Sequence, residues 1–365
     1  MDGENLLNPW VWFVPEEKGG IRWYSETLWK ELVPHVPDGS RFLLRATPEE
    51  LAAIQPALIH VQHEYGCFGS KIPGRYTFPR WLSEVRTLCP ETKIVATAHS
   101  VIREGYRYPV TGRGWQSPAR FAANLVMPAL IHWWNHSTWG KLDGAIVQQA
   151  MYIETVKKTG CPAVSEIPLF VPEIRPVETL SSQVVLVFGY FSPEKAQDVA
   201  IRAMAGLPSS TRLVLAGGVR RPDDQAYFDR CQALVRELGL ESRVTITGFI
   251  ADTDLDQYYR EATVVLLPFR ESTGSGSLVQ AFSRGKPVLA SDLAVNREIV
   301  DRVPGSLCFF ESEDVRDCSS KLKALLESAS ARHALSKAGL VYAERYSVPN
   351  SVRAHLSFYQ IVLGT

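Results

Sequence analysis

Short runs of β-branched and aliphatic residues alternate with longer helix-like segments along this whole chain. That rhythm constrains the fold more than any other feature. In the first half the apolar runs fall at residues 9–15, 57–61, 93–98 and 142–147, and a helical pattern covers 21–32. In the second half they fall at 184–188, 212–216, 243–247, 263–267 and 287–290. Helical stretches begin at Lys195 and cover 223–238, 255–260 and 278–284 between them. Runs of this length separated by helices predict βαβ units and parallel sheets, an α/β protein. Ligands of such sheets sit beyond the carboxyl ends of the strands, so the residues that follow each run carry the functional argument.

Length and composition bound the organisation. A chain of 365 residues suits two domains. Pro168, Pro172 and Pro176 punctuate residues 168–182 and predict an extended linker there. All nine tryptophans precede residue 140, whereas charge is spread evenly, so the halves differ in aromatic content. With 39 basic and 39 acidic side chains there is no electrostatic case for nucleic-acid binding. The six cysteines have no Cys-x-x-Cys spacing and read as reduced core residues of a cytoplasmic protein. The start, Met1-Asp2-Gly3-Glu4, is acidic where a signal peptide would be basic. The longest apolar stretch, residues 121–134, is too short to span a bilayer.

Four strand-end features stand out. Gly19-Gly20 precedes the first helix, where a bare backbone lets N–H groups approach a phosphate or a sugar. His99 ends the third run and could donate to a sugar hydroxyl or support developing charge. Lys195 lies in the loop after residues 184–188 and offers a point charge to a diphosphate. The most specific stretch is 270–291, where a Gly/Ser/Thr loop, Ser272 to Ser277, runs straight into a helix and makes an anion nest. It lacks the Gly-Lys-Ser/Thr spacing of a P-loop.

The chain resembles the retaining glycosyltransferases of the GT-B fold, family 4. The resemblance rests on Ser192-Pro193-Glu194-Lys195, Leu215-Ala216-Gly217-Gly218, Gly248-Phe249, Leu267-Pro268, Ala281-Phe282-Ser283, Gly285, Pro287-Val288 and Glu298-Ile299-Val300. In the first half it rests on Lys18-Gly19-Gly20-Ile21, on residues 60–66, and on Thr97, His99 and Ser100. It implies two Rossmann-like domains facing an interdomain cleft. Residues 1–172 would bind the acceptor, 173–346 the nucleotide sugar, and 347–365 would be a helix crossing back to the first domain. It implies that Lys195 holds the diphosphate and that the backbone at Gly248, Phe249 and Ile250 reads the base. Ser272, Thr273, Gly274, Ser275 and Gly276 would touch donor sugar and phosphates. His99, with Gly19 and Gly20, would approach the donor sugar, and His63, Glu64 and Tyr65 would meet the acceptor.

Two departures accompany this resemblance. The family's pair of glutamates, seven residues apart, is replaced here by Ser272 and Gln280. Gln280 could accept one ribose hydrogen bond through its carbonyl, and Glu271 stands one residue from the first position. Tyr190 occupies a position where many members carry an arginine. The implied reaction moves a hexose from a nucleotide-diphosphate sugar, UDP- or GDP-linked, to a saccharide or lipid-linked acceptor. It needs no metal or other cofactor and retains the anomeric configuration. The alternative is a degenerate nucleotide-sugar-binding protein of the same fold. His60, His63 and Glu64 are not in zincin order, and His132 and His136 lack a third ligand. Residues 101–140, with Arg103, Arg107, Arg113 and Arg120, fit either an ordinary acceptor-domain segment or a peripheral contact at the inner face of the membrane; the ordinary segment is the preferred reading.

Overall fold

The computed structural model describes residues 8–15, 19–69, 75–103, 105, 116–180, 183–251 and 253–365, and for 116–123 the backbone alone. Lys18, Arg107 and Arg113 lie outside the described residues, as does the Arg120 side chain. The described residues form two parallel sheets of six strands each and divide into two compact units, 1–168 with 348–365, and 169–347.

In the first unit the strands are β1 (Trp10–Val14), β2 (Arg41–Leu44), β3 (Leu58–His63), β4 (Lys93–Ala98), β5 (Gly144–Val147) and β6 (Ala163–Glu166), in the order β2-β1-β3-β4-β5-β6. Helices α1 (Gly20–Leu32), α2 (Pro48–Ile54), α3 (Phe78–Leu88), α4 (Gln116–Thr138) and α5 (Ile153–Lys157) connect them, and α13 (Val348–Leu363) closes the unit. Side chains alternate across a strand. On β1, Val11 and Phe13 enter a core with Trp81, Trp134 and Trp139, while Trp12 turns to the opposite face and packs on Trp29 and His60. On β3, Ile59 and Val61 join that same core, and His60 and Gln62 share the Trp12 face.

In the second unit the strands are β7 (Val184–Phe188), β8 (Arg212–Ala216), β9 (Val244–Gly248), β10 (Val264–Leu267), β11 (Val288–Ser291) and β12 (Cys308–Phe310), in the order β12-β11-β10-β7-β8-β9. The order reverses between β7 and β10, so the crevice at the carboxyl ends of that pair is where such a sheet takes a ligand. Helices α6 (Gln197–Ala203), α7 (Gln225–Glu237), α8 (Leu255–Glu261), α9 (Gly276–Ser283), α10 (Ala294–Arg302), α11 (Val315–Glu327) and α12 (Ala329–Arg345) cover both faces of the sheet. The expected helix at Lys195 begins two residues later, after a single 3-10 turn, Pro193–Lys195.

Residues 169–180 form no helix, yet they are bound along this unit. The Arg175, Val177 and Leu180 N–H groups donate to the carbonyls of Ser283, Arg284 and Arg260. Among the described residues no helix is long and apolar enough to cross a membrane.

Candidate functional site

The loops leaving β7, β8, β9 and β10 form one edge of the second unit. Two glycines let them close up. A Cβ on Gly217 would lie 2.0 Å from the Gly189 carbonyl oxygen, and one on Gly218 would strike the Phe249 ring at 2.8 Å. Behind this bare backbone Tyr190 and Phe249 meet edge to face, centroids 5.7 Å apart. Both rings face outward, with 43% and 65% of their surface exposed. The Arg220 guanidinium stands 5.4 Å from the Tyr190 ring. Two open aromatic faces beside a cation suit a flat heterocycle carrying an anion.

Lys195 closes the 3-10 turn after β7. Its Nζ sits 3.7 Å from the ring centroid of Phe269, just past β10. Burial lowers its pKa to about 8, with Glu194 pulling weakly the other way. It remains an ammonium at neutral pH, incompletely hydrated and available to an anion.

Ser272 Oγ donates to the Gly274 carbonyl and accepts from the Gly274 N–H. Ser275 caps α9 by accepting from the Leu278 N–H, and Ser277 Oγ ties the same turn to the Phe188 carbonyl of β7. The start of α9 is therefore fixed beside the β7 exit. The backbone N–H groups of a helix's first turn have no intrahelical partner, so Gly276 and its neighbours offer donors there. Glu271 and Thr273 are exposed on this loop, and Ile250 is half-buried against the sheet.

Gln280 is half-buried on α9. Its Oε1 already accepts from Arg284 Nη1, one helical turn away. Arg284 is 1% exposed, pairs with Asp256 at 2.6 Å and lies over the Tyr259 ring. A guanidinium only donates, so the amide oxygen must face it, and Nε2 turns the other way. The Arg284 bond takes one of the two lone pairs of that oxygen. Arg284→Ala should destabilise the second unit by about 3 kcal/mol, since Gln280 loses its partner and Asp256 keeps only Arg175, 3.9 Å away. Chemical denaturation of the variant checks this.

In the first unit, Gly19 starts α1 with φ 133, a conformation that favours glycine, and Gly20 is exposed with open space around it. His99 follows β4, half-buried, with its ring edge-on to Tyr24. Its Nε2 bonds Gln62 Oε1 at 2.9 Å. Gln62 Nε2 in turn reaches His60 Nε2, and His60 Nδ1 meets the Tyr359 hydroxyl on α13. Burial lowers the His99 pKa to about 4, so its ring is neutral near pH 7.

Two of the three residues expected at the acceptor are interior. His63 is fully buried among Tyr65, Phe68, Phe78 and Trp139, with Nε2 on the Tyr76 hydroxyl. Tyr65 is equally buried. Only Glu64 reaches the surface, and its carboxylate accepts from the Tyr65 N–H. Among the described residues no cluster of three or more His, Cys, Asp or Glu is placed to hold a metal ion.

Residues 172–340 match the family profile of the glycosyl transferases group 1. A D-inositol 3-phosphate glycosyltransferase of Mycobacterium leprae is 33% identical over 188 residues, which is 51% of this chain and 43% of that protein. The match thus spans less than half the length of that relative. Two solved structures are similar over nearly the whole chain. Anabaena HepE in complex with UDP gives a TM-score of 0.70 at 16% identity, covering 96% of this chain and 99% of that one. Sucrose-phosphate synthase of Thermosynechococcus elongatus gives 0.70 at 19%, covering 98% and 99%. At such identities the likeness concerns the fold. Residues 172–340 thus match the glycosyl transferases group 1, within a chain that has the GT-B fold.

Proposed function

We propose that this chain is a glycosyltransferase that moves a hexose from a UDP- or GDP-linked sugar to a saccharide or lipid-linked acceptor, with retention at the anomeric carbon and without a metal. One observation carries the reading: the Tyr190–Phe249 pair, the Lys195 ammonium and the start of α9 stand together where β7, β9 and β10 end. Base, diphosphate and sugar would occupy them in that order. Phe249→Ala should weaken UDP binding by about 1–3 kcal/mol, the usual worth of one aromatic–base stack. Calorimetry with UDP reads it.

Departure of the nucleoside diphosphate is the costly step. Lys195 and the N–H groups of the first turn of α9 would meet the charge that develops there, in fixed positions and at no cost of reorganisation. His99, neutral and already donating through its ring to Gln62, is suited to hydrogen-bonding a sugar hydroxyl rather than to bearing charge. Glu64 is the acceptor-side group with exposed surface. The exposed Leu125, Val126 and Trp133 face of α4 would carry any peripheral contact with a membrane that holds a lipid-linked acceptor. Retention follows from the family resemblance.

The rival reading, a nucleotide-sugar-binding protein without turnover, is favoured by Ser272 and Gln280, which put no carboxylate at either position. A thermal-shift panel of UDP-, GDP- and ADP-sugars, each with and without EDTA, tests the donor site common to both. Ligand at 100 times Kd adds about 2.7 kcal/mol to stability. A shift with one nucleotide class that survives EDTA supports the proposal, and no shift with any of them rejects it.

A further inference from the structure

Arg270, three residues past the end of β10, has more polar partners than any feature of its sequence suggests. Its Nη1 and Nη2 form a two-pronged ion pair with Asp198 at 2.9 and 2.8 Å, and its Nε donates to Glu313 at 2.7 Å. Nη1 also donates to the Pro193 carbonyl, and the Arg270 backbone N–H donates to the Glu194 carbonyl, each at 2.9 Å. Asp198 is held from its other side by the Tyr227 hydroxyl at 2.5 Å. Burial would raise the Asp198 pKa, but the Arg270 and Tyr227 hydrogen bonds keep it below the ordinary carboxylate value.

All these bonds converge on one short turn, Pro193–Lys195, and on the first residues of α6. That turn exits into Ala196 at φ 50, a conformation that alanine adopts only when its surroundings impose it. The preceding residue in the chain, Phe269, is the buried ring on which the Lys195 ammonium rests. Segment 269–270 therefore supplies both the seat of the ammonium and the clamp on its backbone.

We propose that Arg270 is a positioning residue, which holds the Pro193–Lys195 turn against the β10 exit so that the Lys195 ammonium stays seated on Phe269 and faces the donor's diphosphate. The inference rests on the reading of Lys195 given above. Arg270 itself spends its guanidinium on Asp198, Glu313 and Pro193 and does not touch the reacting atoms. The charged groups around the turn are Glu194, Asp198, Arg221, Arg270 and Glu313. Released from the clamp, the ammonium would regain water and titrate closer to the ordinary lysine value.

Two variants separate position from charge. Arg270→Lys keeps the positive charge and loses the fork. Asp198→Asn removes a negative charge, which by Coulomb's law alone would lower the Lys195 pKa, whereas release of the turn would raise it. Lys195 is followed by NMR of isotopically methylated lysines, its signal assigned by its loss in Lys195→Arg. Both variants should move the midpoint up by at least one pH unit from about 8 and weaken UDP binding at least tenfold. Glu313→Gln should change neither, because that partner is largely exposed. A midpoint that stays near 8 in either folded variant overturns the proposal. Should neither variant fold, Tyr227→Phe extends the test: a smaller upward shift supports the clamp and no shift overturns it. Were Lys195→Ala to retain full turnover, the reading of Lys195 would fall, yet the titration would still decide whether Arg270 holds the amine.

Discussion

Replacing Lys195 by alanine is expected to lower donor turnover at least tenfold, on the order of 1.4 kcal/mol or more of lost transition-state stabilisation. The loss should appear in kcat as well as kcat/KM, because the charge it answers develops as the diphosphate leaves. The same lysine should give the wild-type protein an alkaline limb in donor turnover. Its ammonium is present below about pH 8 and lost above it, so kcat/KM for the donor should fall as pH rises through that value. Lys195→Arg keeps its charge throughout and should show no such limb, whatever its absolute rate. Wild-type turnover in Lys195→Ala would remove this residue from the chemistry.

The second large effect is on stability and concerns the first unit. His60, His63 and His355 are all buried there, and burial depresses each of them. His60 falls well below its ordinary value, His63 to about 3 and His355 to about 4. The unfolded chain binds protons to these rings near pH 6.5, while the folded unit does not. Stability is therefore complete above pH 6.5 and drains as pH falls from there toward 4. At pH 4.5, His63 and His355 together should cost about 5 kcal/mol, a large part of an ordinary domain's stability. The second unit contains one histidine, His333, which is exposed rather than buried. Calorimetry between pH 7 and 4.5 should show the melting transition of the first unit collapse while that of the second moves far less. Parallel shifts of both transitions would contradict it.

The strands legible in the sequence were those buried on both faces. β7 and β10 are unbroken apolar runs, and β4 and β8 are apolar apart from Lys93, Thr97 and Arg212, because both sides of a parallel sheet meet helices. β2, β6 and β12 gave no such signal. Each lies at the edge of its sheet, is short and is partly exposed, so its sequence needs no apolar run. β9 is also an edge strand, yet Val244, Thr245 and Ile246 are β-branched and betrayed it.

The site was legible to the extent that chain position alone defines it. Lys195, Phe249 and the Ser272–Gly276 loop all follow strands, and the structure sets them on one edge. His63 was misplaced although the strand's own parity gives it away. Ile59, Val61 and His63 alternate on one face of β3, and a face that takes Ile59 and Val61 into the core takes His63 as well. Arg284 caps the end of α9, four residues after Gln280, a spacing that brings side chains together, so their bond had a local signal. Arg270 had none, because Asp198 lies 72 residues away and only the fold brings the two together.

The central claim is that the second unit's carboxyl edge binds a nucleotide sugar and drives off its diphosphate. Slow hydrolysis of the donor in the absence of acceptor tests that most directly. Purified protein is incubated with the nucleotide sugar selected by the thermal-shift panel, with EDTA present, and release of the free nucleoside diphosphate is followed. The account predicts release above the uncatalysed rate, lowered at least tenfold in Lys195→Ala. Saturable binding of the same sugar with no release, with or without EDTA, would contradict it and leave a binding protein built on a transferase fold.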